Sequence, residues 1–439
     1  MSVDQETQGY GLRWADEDDS GELNPTWTAT PDILAIQGLA AESLSLQNSA
    51  VTAAFHAEGA FNKLYTITAP DLPHRYLMRV SLPVEPFFKT ESEVATMAFL
   101  RKHTAVPVAN VIAYCSTAAN PLHFEWILLE YIEGTPLLDL WDDMSFEAKS
   151  ELNVRMQGYI QQMRAFNFSR LGNLYFSNVQ DRVNGHPAQW QRTSTSEVET
   201  DSKFTIGRIV SPWFFRDKRV HLQANRGPFR SSTDLMLSKT NMQIERIKHL
   251  SADPSDEYYC EVDEDLAEHE MDVSKTCYAL RDLVPVIFPI STDPDEDEQM
   301  FLYHHDLSEW NIIVDPETLE VRGIIDWESV GIYPAWQATQ FPFFLRGPEV
   351  CEPPALGTPG VDESCLTEYR KDWERVRLRR LYRDGLPETS ETGAIARKMV
   401  FDERLEEIEL RWEAARHWTP ILADAAKWET YPPKVPWLR

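Results

Sequence analysis

Four polar residues, His304, Asp306, Asn311 and Asp326, stand at the ends of two apolar runs. The first run, Phe301-Leu302-Tyr303, leads into His304-His305-Asp306-Leu307-Ser308-Glu309-Trp310-Asn311 and continues as Ile312-Ile313-Val314. The second, Gly323-Ile324-Ile325, ends in Asp326-Trp327-Glu328. Read as strands, the two runs bring the polar side chains to one edge. Phosphoryl transfer from a magnesium nucleotide needs a carboxylate that orients and deprotonates the attacking hydroxyl, and oxygen ligands for the metal. Asp306 fits the base, Asn311 and Asp326 the metal ligands, and His304 a loop support. The plainer alternative is a hairpin whose His and Asp cap a turn.

The order His-x-Asp-x-x-x-x-Asn, an apolar strand and a second Asp is the catalytic-loop pattern of kinase-like phosphotransferases. Because the second motif reads Ile-Ile-Asp-Trp-Glu and not Asp-Phe-Gly, the chain resembles the aminoglycoside phosphotransferase and choline kinase branch, and within it the fungal phosphotransferase-enzyme group. The resemblance implies an α+β fold, bilobal and protein-kinase-like, with a small antiparallel-sheet N-lobe over residues 46–133 and a large, mostly helical C-lobe over 134–439. Residues 1–45 would form an acidic, loosely ordered N-terminal extension ending in a short helical stretch, and a family-specific insertion would lie near 180–250. The implied cofactors are ATP and Mg2+, bound in the cleft between the lobes.

The same resemblance assigns further residues. Phe55–Ile67 reads as strand, turn and strand, and the turn at Glu58–Asn62, with Gly59, would cover the nucleotide phosphates; an ordinary hairpin turn is an equal reading. The strand Tyr76–Val80 puts Arg79 where the family carries its phosphate-binding Lys, a planar fork in place of a point charge. On the following helix, Thr90–Leu100, Glu93 falls where the family's glutamate pairs with that cation, although Thr90 and Glu93 also fit a capping box. The apolar run Phe124–Ile132, closed by Glu133-Gly134, resembles the last small-lobe strand and the hinge. Backbone at Glu130 and Ile132 would then meet the adenine edge. Glu328 either faces substrate or steadies the site, with a surface carboxylate as the equal reading.

Hydrophobic spacing and capping residues predict helices around Asp32–Leu46, at Leu137–Asp143, Phe146–Phe166, Ser364–Leu381 and Ala394–Trp418, and an extended segment at Val106–Tyr114. A helix of roughly 17 residues opens at Ser231-Ser232 by its Ser cap. The arginines at 208, 216, 219, 226 and 230 form a basic island, read as neutralising acidic neighbours.

With 439 residues, 43% of them hydrophobic, the chain can bury a substantial core. A net charge of −28 argues against nucleic acid or an anionic membrane as partner and suits a small, hydroxylated, cationic acceptor. Acidic runs at Asp253–Asp272 and Asp293–Glu298 read as solvated loops, with a substrate funnel as the sharper alternative for the second. Five scattered cysteines without metal-ligand spacing, and no apolar stretch near the roughly 20 residues that span a bilayer, point to a cytoplasmic protein. The expectation is an ATP-dependent small-molecule kinase. Its rivals are a protein serine/threonine kinase, disfavoured because no Ala-Pro-Glu follows Asp326, and a catalytically inactive kinase-like scaffold, disfavoured by the intact polar quartet.

Overall fold

The computed structural model describes residues 10–17, 23–192, 198–216, 219–252, 298–358 and 362–385, with a few isolated positions between 277 and 288. The predicted helix at 394–418 and nearly all of the two acidic runs lie outside the described residues.

The chain starts with a hairpin, β1 (Leu12–Glu17) and β2 (Leu23–Trp27), and a helix, α1 (Ile33–Ser43), whose N-cap Asp32 accepts from the Leu34 amide at 2.8 Å. Five strands follow: β3 (Thr52–Glu58), β4 (Asn62–Thr68), β5 (Tyr76–Ser81), β6 (Val111–Cys115) and β7 (Glu125–Glu130). They form one antiparallel sheet in the order β3-β4-β5-β7-β6. The 16-residue helix α2 (Phe88–His103) enters between β5 and β6. Alternation along β7 decides which face packs on what, because successive side chains of a strand point to opposite sides. Trp126 and Leu128 join Ile36, Ala40, Ile67 and Met78 under α1, whereas Ile127 and Leu129 join Val94, Phe99 and Leu100 of α2 in the main core.

From the end of β7 the chain crosses to β8 (Thr135–Pro136), which pairs with β14 (Ile312–Val314), itself paired with β15 (Val321–Ile324). Gly134 makes that crossing possible. Its φ is +151° and a Cβ there would lie 2.6 Å from the Val314 carbonyl oxygen. A second antiparallel pair, β13 (Met300–Tyr303) with β16 (Gly331–Pro334), carries the residues that lead into His304. Helix α3 (Phe146–Met163) is capped by Ser145 and buries Leu152, Met156, Ile160 and Met163, one helical face, and Asn153 on that helix donates to the Leu378 carbonyl of α5 (Glu363–Asp384) at 3.0 Å. Helix α4 (Ser232–Ala252) starts where the Ser cap predicted and runs 21 residues.

Three expectations need correction. The N-terminal extension is no loose lead: Trp14 and Leu23 of its hairpin are buried with Leu82, Val84, Phe87 and Tyr175. The part after residue 134 is less helical than expected, because β9 (Phe166–Phe168), β10 (Asn173–Phe176), β11 (His186–Arg192) and β12 (Val198–Gly207) form a four-stranded antiparallel sheet, order β10-β12-β11-β9. The region read as an insertion supplies two of those strands. Its arginines neutralise acids only in part: Arg208 pairs with Glu85, but Arg226 donates to the carbonyls of Arg219, Val220 and Leu222. Among the described residues no helix is long and apolar enough to cross a membrane.

Candidate active site

Asp306, Asn311 and Asp326 come together because the antiparallel pair β13–β16 and the hairpin β14–β15 end at the same place. β13 delivers His304 and the loop to Asp306; a single helical turn, Glu309–Asn311, then feeds β14, and β15 ends one residue before Ile325-Asp326. The Asn311 side-chain amide donates both to the Asp306 carbonyl, at 2.8 Å, and to Asp306 Oδ2, at 3.0 Å. Those bonds orient the carboxylate and leave its Oδ1, and Asn311 Oδ1, without a donor among the described residues.

His304 is buried, and its Nε2 lies 3.0 Å from the Ile325 carbonyl, so the proton sits on Nε2 and Nδ1 is bare. Burial pushes this imidazole down to about 3 despite that bond, which keeps it neutral. It therefore ties the catalytic loop to the strand end that carries Asp326, as a support and not as a charge. Its ring also stands edge-on to Trp327, centroids 4.9 Å apart. Asp326 has φ +62°, the left-handed region that costs most non-glycine residues of order 1 kcal/mol or more. That turn sends its carboxyl back toward Arg79, 3.5 Å away.

Arg79 and Glu93 form a buried ion pair, so the strand–helix partnership expected from the resemblance is present. The capping-box alternative falls, because α2 begins at Phe88 and its N-cap is Phe87, placing Glu93 inside the helix. Glu328 is neither a surface group nor aimed at open solvent. It pairs with Arg79 and with Lys89, whose Nζ is 2.6 Å from Glu328 Oε2, and it accepts from the Asn62 side-chain amide at 3.0 Å. Burial works against the Glu328 charge, but the Arg79 and Lys89 cations outweigh it and hold the carboxyl down to about 2. The Asp326 carboxyl moves the other way, raised by burial and by the neighbouring Glu328 and Glu93 carboxylates against the pull of Arg79.

Lys89 and Asn62 were not found from sequence. One signal was there: Lys89 and Glu93 are four residues apart on a helix and therefore share a face. Asn62 closes the turn predicted to cover phosphates. In that turn Gly59 donates its own amide to Asn62 O at 2.9 Å, has no left-handed φ, and faces open space, so its glycine character is not demanded by the backbone. Among the described residues, the amides of Ala60 and Phe61 donate to no backbone carbonyl and remain for a ligand. At the hinge, the Glu130 amide is taken by Asn110 O and the Tyr131 amide by Arg75 O, while Ile132 makes no backbone hydrogen bond among the described residues. A cavity of about 680 Å³ borders Glu130–Thr135, but its other walls are Pro107–Ala109, Asp315 and Arg322, so it lies away from the Asp306–Asp326 edge.

The oxygen set at that edge fits Mg2+. One carboxylate and one amide oxygen are hard donors too few to enclose an ion, which suits a metal that retains waters and nucleotide phosphates. Asp326, crowded by other carboxylates, is the group a divalent cation would stabilise most. Among the described residues no group of three or more His, Cys, Asp or Glu side chains is arranged to hold a metal by itself.

With this geometry in place, comparison with known proteins is specific. The family described as the phosphotransferase enzyme family matches residues 52–209 and 240–337, more than half of the chain. The chain belongs to the phosphotransferase enzyme family, and its fold is α+β. A subtelomeric hrmA-associated cluster protein of Aspergillus fumigatus is 24% identical over 341 residues, covering 70% of this chain and 63% of that protein. Altered inheritance of mitochondria protein 9, mitochondrial, of Saccharomyces cerevisiae is 25% identical over 304 residues, 62% of this chain and 46% of that one. The chain thus spans about half to two thirds of the length of these relatives. Among solved structures it is similar to a choline kinase from Cryptosporidium parvum (14% identity, TM-score 0.37, covering 84% of this chain and 85% of that one).

Proposed function

We propose that this protein is a small-molecule kinase that moves the γ-phosphate of magnesium ATP to a hydroxyl of a small, amine-bearing acceptor. The observation that supports it best is the bond from Asn311 to Asp306 beside Asp326, because Asp306 as base and the Asn311 and Asp326 oxygens as metal ligands would then share one edge. In the proposed step the acceptor oxygen attacks the γ-phosphorus, the β–γ bridging bond breaks, ADP leaves with that electron pair, and the hydroxyl proton passes to Asp306. Magnesium, when bound, would neutralise charge on the β- and γ-phosphates. Asn311 and Asp326 would hold it. Arg79 and Lys89 would fix the turn above the phosphates through Glu328 and Asn62, and Ile132 would offer its backbone to adenine.

In this reading residues up to about 133 form the nucleotide-binding lobe and the remainder the catalytic and acceptor-binding lobe. The net charge of −28 supports a cationic acceptor. Glu298 is withdrawn from any acidic funnel: it is half-buried and accepts from the Ser232 amide at 2.6 Å at the start of α4. The experiment is nucleotide-dependent thermal stabilisation. Magnesium ATP should raise the Tm of the wild type by mass action and fail to do so in Asp326→Ala. No shift in the wild type at millimolar nucleotide would favour the idle scaffold.

A further inference from the structure

A second cavity, of about 570 Å³, lies outside the catalytic edge, in the size range of small-molecule sites. None of Asp306, Asn311, Asp326 or Glu328 lines it. Its walls come from several separated parts of the chain: the N-terminal hairpin with Trp14, the β5–α2 loop and the first residue of α2, Phe88, the segment before β7 with Phe124, and Arg182, Arg208 and Val220–His221 from beyond residue 180. The lining is mostly apolar and aromatic, so a ligand body would be apolar.

The charged groups at its walls decide the other end of that ligand. Glu85 is fully buried and paired with Arg208. Glu125 is buried and accepts from the Phe87 amide. Arg182 is different: its guanidinium lies 3.4 Å from the Phe87 ring centroid, it is exposed at the wall, and it makes no ion pair among the described residues. Arg208, 3.8 Å over Phe88, also keeps a buried Nε without an acceptor. The two guanidinium groups lie over adjacent rings, Phe87 at the N-cap and Phe88 at the start of α2. Phe87 itself has φ +70°, a conformation that a bulky residue adopts only when its surroundings impose it.

We propose that this cavity binds a small aromatic or medium-chain carboxylic acid, its apolar body on Trp14, Phe88 and Phe124 and its carboxylate on Arg182 and Arg208. A carboxylate is a bidentate match for a guanidinium, and the stacked arginines are already oriented. One wall reaches the catalytic region: Ser81 lines the cavity and donates to Asn62 Oδ1 at 2.9 Å, and Asn62 donates to Glu328. The proposal does not rest on the phosphotransferase reading.

The test is isothermal titration of the full chain with octanoate and with phenylbutyrate, alongside octanol and octylamine. The expected result is saturable binding of the two acids, weaker by about tenfold or more for the alcohol and amine, in keeping with the loss of a charge-assisted hydrogen bond. Arg182→Gln should lose about as much, Arg182→Lys, which keeps the charge but not the bidentate fork, should fall between Arg182→Gln and the wild type, and both should melt like the wild type because Arg182 is exposed. Magnesium ATP should leave the acid bound. Failure of both acids to bind, equal binding by Arg182→Gln, preference for the amine, or displacement by magnesium ATP would each overturn the assignment.

Discussion

Replacing Glu328 by Ala isolates the network that joins the five-stranded sheet to the catalytic edge. Glu328 is the only carboxylate paired with Lys89 among the described residues, at 2.6 Å, and one of three around Arg79. Both cations are at most 5% exposed. Without Glu328, Lys89 keeps only Asn62 Oδ1 at 3.0 Å and Ser81 Oγ at 3.4 Å, neutral partners for a buried charge. Breaking one side of a buried ion pair costs about 3–5 kcal/mol. At ~2–4 °C per kcal/mol for a large domain, the Tm should fall by ~6–20 °C. Urea unfolding of wild type, Glu328→Ala, Lys89→Met and the double variant gives the energies. The double variant should lose less than the sum of the singles, with a coupling of ~0.5–3 kcal/mol, since it no longer buries an unpaired ammonium. A Glu328→Ala protein within ~0.5 kcal/mol of wild type, or strictly additive losses, would refute the reasoning.

Other outcomes are equally specific. Because the Glu328 carboxyl is held down to about 2, its contribution is present above the ordinary ~4.3 and lost as pH falls from there toward 2, so Glu328→Gln should show a shallower acid-side loss in urea titrations. Glu125 has the opposite sign. Burial raises it to about 7 despite its bonds from Thr90 and Phe87, so wild-type stability should drop as pH rises from ~4.3 to about 7, and Glu125→Gln, which still accepts from Phe87, should flatten that drop. Gly134→Ala, with φ +151° and a Cβ 2.6 Å from Val314 O, should lower the Tm in a thermal melt, whereas Gly59→Ala, in open space, should not.

The meeting of Asp306, Asn311 and Asp326 at one edge was legible because its signal is local: polar residues at fixed offsets from short apolar runs, which the structure pairs as β13–β16 and β14–β15. Arg79 and Glu93 were legible only through resemblance, since a strand cation and a helix acid 14 residues apart have no intrinsic reason to meet. Lys89 escaped because it lies in the first turn of a helix whose observed start, Phe88, precedes the expected one at Thr90. The sheet of β9 to β12 escaped for a different reason. Val198–Gly207 alternates small polar and charged residues until Phe204, and its neighbours, β10 and β11, are set by pairings that no hydrophobic period announces. The N-terminal hairpin was hidden by its acidic composition, although Trp14, Leu23 and Trp27 carried its packing.

The central claim is that Asp306 acts as the base for phosphoryl transfer, and the direct measurement is transfer of labelled γ-phosphate from ATP to a library of small hydroxylated amines by wild type and Asp306→Asn. The account predicts a phosphorylated amine with the wild type and a rate lower by about 10²–10⁴-fold with Asp306→Asn, while magnesium ATP still raises the Tm of the variant. Near-normal transfer by Asp306→Asn would contradict it.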